Sequence, residues 1–192
     1  MMIHSLLPAS RANGPGERFV LWTQGCSRRC PGCFNPGAQA KKIPAGELSV
    51  SRIISNIPSG RVSGITVSGG EPFEQPEELL RLLAAARGLG LHTLVYSGFT
   101  YEELRRTARE ILREIDMLID GPYLREIPPL SPWTGSGNQR LLRLREGEVL
   151  SRDNGFSPQA VPFVEGEIFI DSRGLITETG IFSLTTGAAQ TV

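Results

Sequence analysis

The chain has 192 residues, 40% apolar and 21% charged, and its 20 Lys+Arg balance its 20 Asp+Glu to a net charge of zero. That length suits one domain with a small appendage and buries a core without disulfides. The balanced charge argues against a nucleic-acid or anionic-membrane partner, and no apolar run approaches bilayer-spanning length.

The opening stretch, MMIHSLLPASRANGPGERF, has no basic flank leading into an apolar run, so no signal peptide is expected and a cytoplasmic location is. ERFVLWTQG at 17–25 is an apolar, β-rich run ending in Gly, a predicted strand. Next comes CSRRCPGCFNPG, a Pro/Gly-rich loop holding all three cysteines of the chain. GELSVSRIISNIP at 46–58 has near-helical apolar spacing and stops at Pro58. SGITVSGGEP at 63–72 is a strand running into paired glycines. QPEELLRLLAAARGLG at 75–90 is the clearest helix, with Pro76 at its start and Glu77 and Glu78 favouring its N-terminal dipole. LHTLVYSG at 91–98 is a strand, and TYEELRRTAREIL at 100–112 a helix with a Thr100–Glu103 capping box. DMLIDGPY at 116–123 is a strand ending in Asp120 and Gly121, and QRLLRLR at 139–145 a possible further one. The sequence EGEIFIDSRGLITETG at 165–180 reads as a β-hairpin turning at Ser172–Gly174, followed by a frayed tail.

Strands alternating with helices predict an α/β fold with a mainly parallel sheet. Right-handed crossovers then bring the cysteine loop, SGGEP, YSGF and DGPY to one rim, where open α/β sheets and barrels bind ligands.

The cysteines are spaced Cys26-x3-Cys30-x2-Cys33. Three are an odd number, which cannot form a complete disulfide set, and structural zinc usually takes four ligands. His4 could complete such a site; His92 begins a strand at the opposite end. Three thiolates suit a 4Fe-4S cluster, leaving one iron open to chelate a substrate through an amine and a carboxylate.

Cys-x3-Cys-x2-Cys after the first strand of an α/β chain resembles the radical S-adenosylmethionine superfamily, and SGGEP at 68–72 resembles its Gly-Gly-Glu-Pro segment. CPGCFNPG, DMLIDGPYLRE and WTGSGNQRLL are similar to segments of the activating enzymes of anaerobic ribonucleotide reductase, and GPGERFVLWTQGC to activases of glycyl-radical enzymes generally. The resemblance runs from about residue 13 to 145. It implies a partial, open (βα) barrel over residues 1–150 and leaves 151–192 as an extension with the hairpin. It implies a 4Fe-4S cluster on Cys26, Cys30 and Cys33 and S-adenosyl-L-methionine as cofactors. One electron cleaves the sulfonium to methionine and a 5′-deoxyadenosyl radical, which takes hydrogen from a glycine of the reductase. The implied partners are that large glycyl-radical protein and a flavodoxin or ferredoxin as electron donor, with no nucleic acid and no membrane.

Gly69 and Gly70 would let backbone approach the cofactor, and Glu71, or carbonyls near Pro72, would accept from its ammonium group. Phe34 could pack on the adenine or cover the cysteine loop, with Gly32 and Asn35 beside it. Ser97 is divided between a helix-entry turn and a ribose contact, and Asp120 between turn chemistry and cofactor binding. Arg28 and Arg29 could tune cluster charge or be solvated, and Trp133 with GSGNQR could flank the site or a docking surface. Two other readings stay open: a radical enzyme modifying a peptide or nucleoside, and a small three-cysteine metal-binding adaptor.

Overall fold

A computed structural model describes residues 1–40, 47–130, 133–152, 166–170 and 176–180. Seven strands form one sheet whose spatial order is the chain order: β1 Ile3–Ser10, β2 Arg18–Thr23, β3 Gly64–Gly69, β4 His92–Tyr96, β5 Met117–Asp120, β6 Arg140–Arg145 and β7 Glu148–Arg152. The four strands β2 to β5 are mutually parallel, while β1 runs antiparallel to β2, and β6 and β7 continue antiparallel beyond β5. The expected mainly parallel sheet is therefore a parallel centre with antiparallel flanks. Strand β1 escapes sequence patterning because Pro8 interrupts it, which an edge position tolerates. Strand β7 escapes because it has only five residues, closed onto β6 by a turn with Glu146 and Gly147 at positive φ.

The helices are α1 Val50–Ser55, α2 Pro76–Gly88, α3 Tyr101–Thr107 and α4 Arg109–Arg113. The capping box on α3 is present, with Thr100 accepting from Glu103 N and the Glu103 carboxylate accepting from Thr100 N. The single helix expected over 100–112 is broken at Ala108, whose φ of −142° and ψ of 38° leave the helical region.

Apolar alternation decides what covers each face. Phe19, Leu21, Ile65, Val67, Val95, Leu118, Leu142 and Leu144 point to one face and pack on Ile53 of α1, Leu79, Leu82, Leu83 and Ala86 of α2, Leu104 of α3 and Leu112 of α4. The opposite face carries a smaller cluster of Leu94, Met117, Ile119 and Leu141 under Trp133, with no helical residue in it. Buried Arg18 lies at the amino edge of the parallel strands. It donates to Thr66 Oγ1 (2.7 Å) and to the carbonyls of Ile65 (2.6 Å), His92 (2.9 Å) and Pro15 (3.1 Å), and desolvation pulls its pKa down to about 10.

The expected C-terminal hairpin is present as β8 Gly166–Ile170 and antiparallel β9 Ile176–Gly180; its expected turn and the tail lie outside the described residues. Glu167 ties it to the end of β1, its Oε2 accepting from Ser10 Oγ (2.5 Å), Arg11 N (2.9 Å) and Ala12 N (3.2 Å). Ser10 pairs with Arg18 at the start of β2, so the hairpin docks at the amino edge of the sheet.

Candidate functional site

The carboxyl ends of β2 to β5 form a rim laced by hydrogen bonds between successive loops. Gly70 N donates to Thr23 O (2.7 Å), Glu71 N to Gly25 O (2.9 Å), Ser97 N to Ile119 O (2.9 Å) and Gly121 N to Phe99 O (3.0 Å). The cysteine loop leaves this rim after Thr23 and returns in a 3-10 turn at Pro36–Gln39. Gly25 N donates to Ala38 O (2.7 Å) and Cys26 N to Gln39 O (3.1 Å), while buried Gln24 donates through Nε2 to Ala40 O (2.6 Å) and Gly37 O (3.2 Å). Both ends of the loop are thus pinned, and its middle carries the thiols.

All three cysteines are free and half-buried. Cys33 N donates to Cys30 O (3.2 Å) through a turn in which Gly32 has φ +68°, and Asn35 N lies 3.4 Å from Cys33 Sγ. Burial pushes the Cys26 thiol up, opposed by main-chain hydrogen bonds from Arg28 and Arg29. Amide donors aimed at sulfur are what an iron–sulfur ligand loop supplies to stabilise and tune its thiolates. Among the described residues no three His, Cys, Asp or Glu side chains gather into a single-ion site. A four-iron cluster would bind each thiolate through a different iron, so its ligands would surround a larger body than one ion. His4, the fourth ligand of the adaptor reading, has Nδ1 3.0 Å from Gln24 Oε1.

The Gly69–Pro72 turn sits against this loop. A Cβ on Gly69, where φ is +108°, would lie 2.3 Å from Thr23 N, and one on Gly70 would lie 2.2 Å from Gly25 O. The room these glycines leave is filled by the exit of β2, so their close approach is to the start of the cysteine loop. No side-chain motion relieves a clash with main chain, so Gly70→Ala is expected to cost about 2–3 kcal/mol and lower Tm by about 5–10 °C in a thermal melt. Glu71 is 1% exposed. Its Oε1 accepts from Ser97 Oγ (2.9 Å) and Phe73 N (3.1 Å), and its Oε2 from Gly98 N (2.8 Å). Burial outweighs these donors and raises its pKa to about 7. Glu71 and Ser97 therefore form one clasp between the β3 and β4 loops, a pairing that no sequence spacing announces. Pro72, also buried, opens the 3-10 turn that follows.

Asp120 is fully buried, and both its oxygens are taken by protein donors: Arg140 Nε (2.9 Å) and Nη2, and Tyr101 N at the start of α3 (2.6 Å). It is a brace between β5, β6 and α3 rather than a group offered to a ligand. Asp120→Ala leaves a partly buried guanidinium with only exposed Glu102, and a loss of about 2–4 kcal/mol is expected in urea denaturation. Glu102→Ala, at an exposed pair, is expected to cost under about 1 kcal/mol.

Between the cysteine loop and the loops after β4 and β5 opens a cleft of about 370 Å³, lined by Ser27, Arg28, Cys30, Pro31, Phe99, Pro122, Tyr123 and Leu124. Arg28 lies over the Phe99 ring, 4.7 Å from its centroid, and Phe34 packs on Tyr123 with centroids 4.7 Å apart. Phe99 and Tyr123 lie in YSGF and DGPY, which the sequence brings to this rim, but their places on the cleft wall are not written in those segments. The rim thus brings together the cysteines, Gly69–Pro72 and Ser97, and places Asp120 behind them.

A family described as a 4Fe-4S single cluster domain matches residues 12–142. The anaerobic ribonucleoside-triphosphate reductase-activating protein of Enterobacteria phage T4 is 31% identical over 150 residues, covering 74% of this chain and 94% of that protein. Those of Salmonella typhi and Escherichia coli (strain K12) are each 30% identical, covering 76% of this chain and all of theirs. The chain belongs to this family of activating proteins. The match ends before β7, so the hairpin lies beyond the shared domain. No helix among the described residues of this family member is long and apolar enough to cross a membrane.

Proposed function

We propose that the chain binds one 4Fe-4S cluster on Cys26, Cys30 and Cys33, binds S-adenosylmethionine beside it, and activates an anaerobic ribonucleoside-triphosphate reductase. The observation that carries this reading is the pinned three-thiol loop, with amide donors to its sulfurs, opening onto a small-molecule-sized cleft at the carboxyl edge of a parallel sheet. When bound, the pair supplies one-electron reductive cleavage of the S–C bond of S-adenosylmethionine, and the product radical takes a hydrogen atom from a glycine of the reductase. A flavodoxin or ferredoxin is the class of donor that fits a one-electron need.

The protein's part is positioning and exclusion of water. Gly32 gives the turn that spaces Cys30 from Cys33, and Phe34 covers the loop on Tyr123, with Asn35 leading into the closing 3-10 turn. Glu71 is already engaged by three donors, which favours main-chain carbonyls of the Gly69–Pro72 turn as acceptors for the substrate ammonium. Ser97 and Glu71 act together as positioning residues, and Asp120 fixes α3 behind them. Among the described residues the helices pack on one face of the sheet and none joins the cluster on the other, which supports a partial barrel over residues 1–150 rather than a doubly wound sheet, which needs helices on both faces. The hairpin strands Gly166–Ile170 and Ile176–Gly180 lie beyond the matched family domain and are tied to the end of β1 through Glu167.

The test is anaerobic. The protein is reconstituted with iron and sulfide, reduced, and given S-adenosylmethionine, and 5′-deoxyadenosine is quantified. The reductase is then added and a glycyl-radical doublet sought by electron paramagnetic resonance. Both signals are expected. Absence of 5′-deoxyadenosine from cluster-loaded protein would overturn the reading.

A further inference from the structure

Four apolar side chains near the cleft stay in water: Phe34 is 59% exposed, Leu124 38%, Ile127 40% and Leu130 77%. Phe34 comes from the cysteine loop and the other three from the 122–130 segment, and Phe34, Ile127 and Leu130 lie over one strip of main chain, Gly135–Asn138, to whose Ser136 the Leu124 backbone is hydrogen-bonded. A Cβ on Gly135 would lie 3.1 Å from Phe34 Cε2 and 3.3 Å from Tyr123 Cδ2. One on Gly137 would lie 3.0 Å from Ile127 Cγ2 and 3.1 Å from Leu130 Cγ. Two glycines thus let these side chains gather over a single backbone floor.

The floor is rigidly tied. Leu124 N donates to Ser136 Oγ (3.1 Å), Gly137 N to Ile127 O (3.0 Å), Asn138 Nδ2 to Pro122 O (2.7 Å) and Gln139 Nε2 to Gly121 O (3.0 Å). Pro128 and Pro129 stiffen the span between Ile127 and Leu130. A pre-organised apolar ledge forfeits little conformational entropy when it is covered. A contiguous exposed apolar surface of this kind marks an interaction site. Leu124 also lines the cleft, so ledge and cleft are continuous.

Charge narrows the occupant. The chain as a whole is neutral, but the cysteine loop carries Arg28 and Arg29, and Arg125 packs its side chain against Gly32, its Cδ 2.5 Å from where a Cβ would stand. Arg28 is faced by Glu71 and Glu103, and Glu74 accepts from Ser27, so the cations left toward the ledge are Arg29 and Arg125, against which the 122–130 segment sets one acid, Glu126. We propose that the ledge of Leu124, Ile127 and Leu130 beside Phe34 seats an acidic, partly apolar segment of the reductase polypeptide, holding its glycine-bearing loop at the cleft mouth. This rests on the function proposed above and adds the surface that recognises the partner.

The test uses full-length protein with its cluster reconstituted, in three forms: wild type, Ile127→Ser/Leu130→Ser, and Arg125→Glu. Three quantities are read for each. These are 5′-deoxyadenosine formed with chemical reductant and no partner, the Kd for the reductase catalytic polypeptide at low and high salt, and the glycyl-radical yield. Partner-free cleavage is expected within about twofold of wild type for the Ile127→Ser/Leu130→Ser variant, while Arg125→Glu, whose side chain packs on the cysteine loop at Gly32, is judged by the salt dependence of its Kd alone. The double variant is expected to bind at least about tenfold more weakly at both salt concentrations, with radical yield falling in step. Arg125→Glu is expected to weaken binding at low salt, with the difference closing at high salt. Variants that bind and activate the reductase as wild type does would overturn the proposal. So would a wild-type dimer that the double variant dissociates while reductase binding is unchanged, since the ledge would then be covered by a second copy. Wild type that binds the reductase through the ledge yet makes no 5′-deoxyadenosine would instead count against the proposed chemistry.

Discussion

Cys30→Ala is expected to abolish 5′-deoxyadenosine formation, a loss of at least about 100-fold, while leaving the fold intact. Cys30 lies in the middle of the pinned loop, half-buried on the cleft wall, and its own main-chain tie is the turn to Cys33 N. The anchors at Gln24, Gly25 and Cys26 N do not involve its side chain. Removing its sulfur therefore takes away a proposed cluster ligand without removing a support of the loop. Iron and sulfide content, visible absorbance and product formation should fall together, while the melting temperature of the metal-free protein stays within about 2 °C of wild type. The same is expected of Cys33→Ala. For Cys26→Ala, which sits at the loop's hinge, metal-free stability should also change little, because the thiol accepts only main-chain donors of its own turn. Retained cluster and product in all three variants would remove the thiols from the site.

Glu71→Ala is the opposite kind of change, large in stability. The buried carboxylate accepts from Phe73 N, Ser97 Oγ and Gly98 N, so truncation strands three donors where water does not reach. At about 1–3 kcal/mol for each unsatisfied group, with partial relaxation, the expected loss is about 3–5 kcal/mol. A pH signature accompanies it. The folded pKa is raised from the ordinary 4.5 to about 7, so between those values the folded state holds a proton that the unfolded chain has released. Stability from this group is therefore fully present below about pH 4.5, declines as pH rises, and is gone above about pH 7. Comparison of wild type with Glu71→Ala separates this contribution, expected to favour pH 5 over pH 8 by about 2.5 kcal/mol in urea denaturation of the metal-free protein, from the opposing one of His92, whose pKa burial lowers. Glu71→Ala should lose the first and keep the second.

The legible parts of this protein were those with strong local chemistry. The cysteine triplet, the paired glycines before Glu71, the Pro76 start of α2 and the Thr100–Glu103 box are each written within a few residues, and each is where its pattern places it. Strand β1 was not legible, because Pro8 and the polar residues around it suit an edge but break the alternation that signals a strand. The interruption at Ala108 was not legible either, since alanine is a strong helix former and nothing local stops the turn there. Of the site, the thiols were plain and their neighbours were not. The Glu71–Ser97 clasp spans 26 positions and the Phe34–Tyr123 stack 89, and contacts made across a sheet edge leave no periodicity to read. Asp120 beside Gly121 reads equally well as turn chemistry or as a ligand, and only the arrival of Arg140 from β6 distinguishes them.

Because spatial order follows chain order throughout the seven-stranded sheet, each strand finds its partner in the segment synthesised just before it. Such neighbour-to-neighbour pairing lets the sheet grow from one side as the chain leaves the ribosome, each parallel pair from β2 to β5 waiting for its helical crossover. The thiol loop and the turn that packs on it belong to the first half of that growth, whereas the Arg140 brace comes near its end. A nascent chain would therefore form the edge that carries its cysteines before the wall carrying Tyr123 and Leu124 closes beside them.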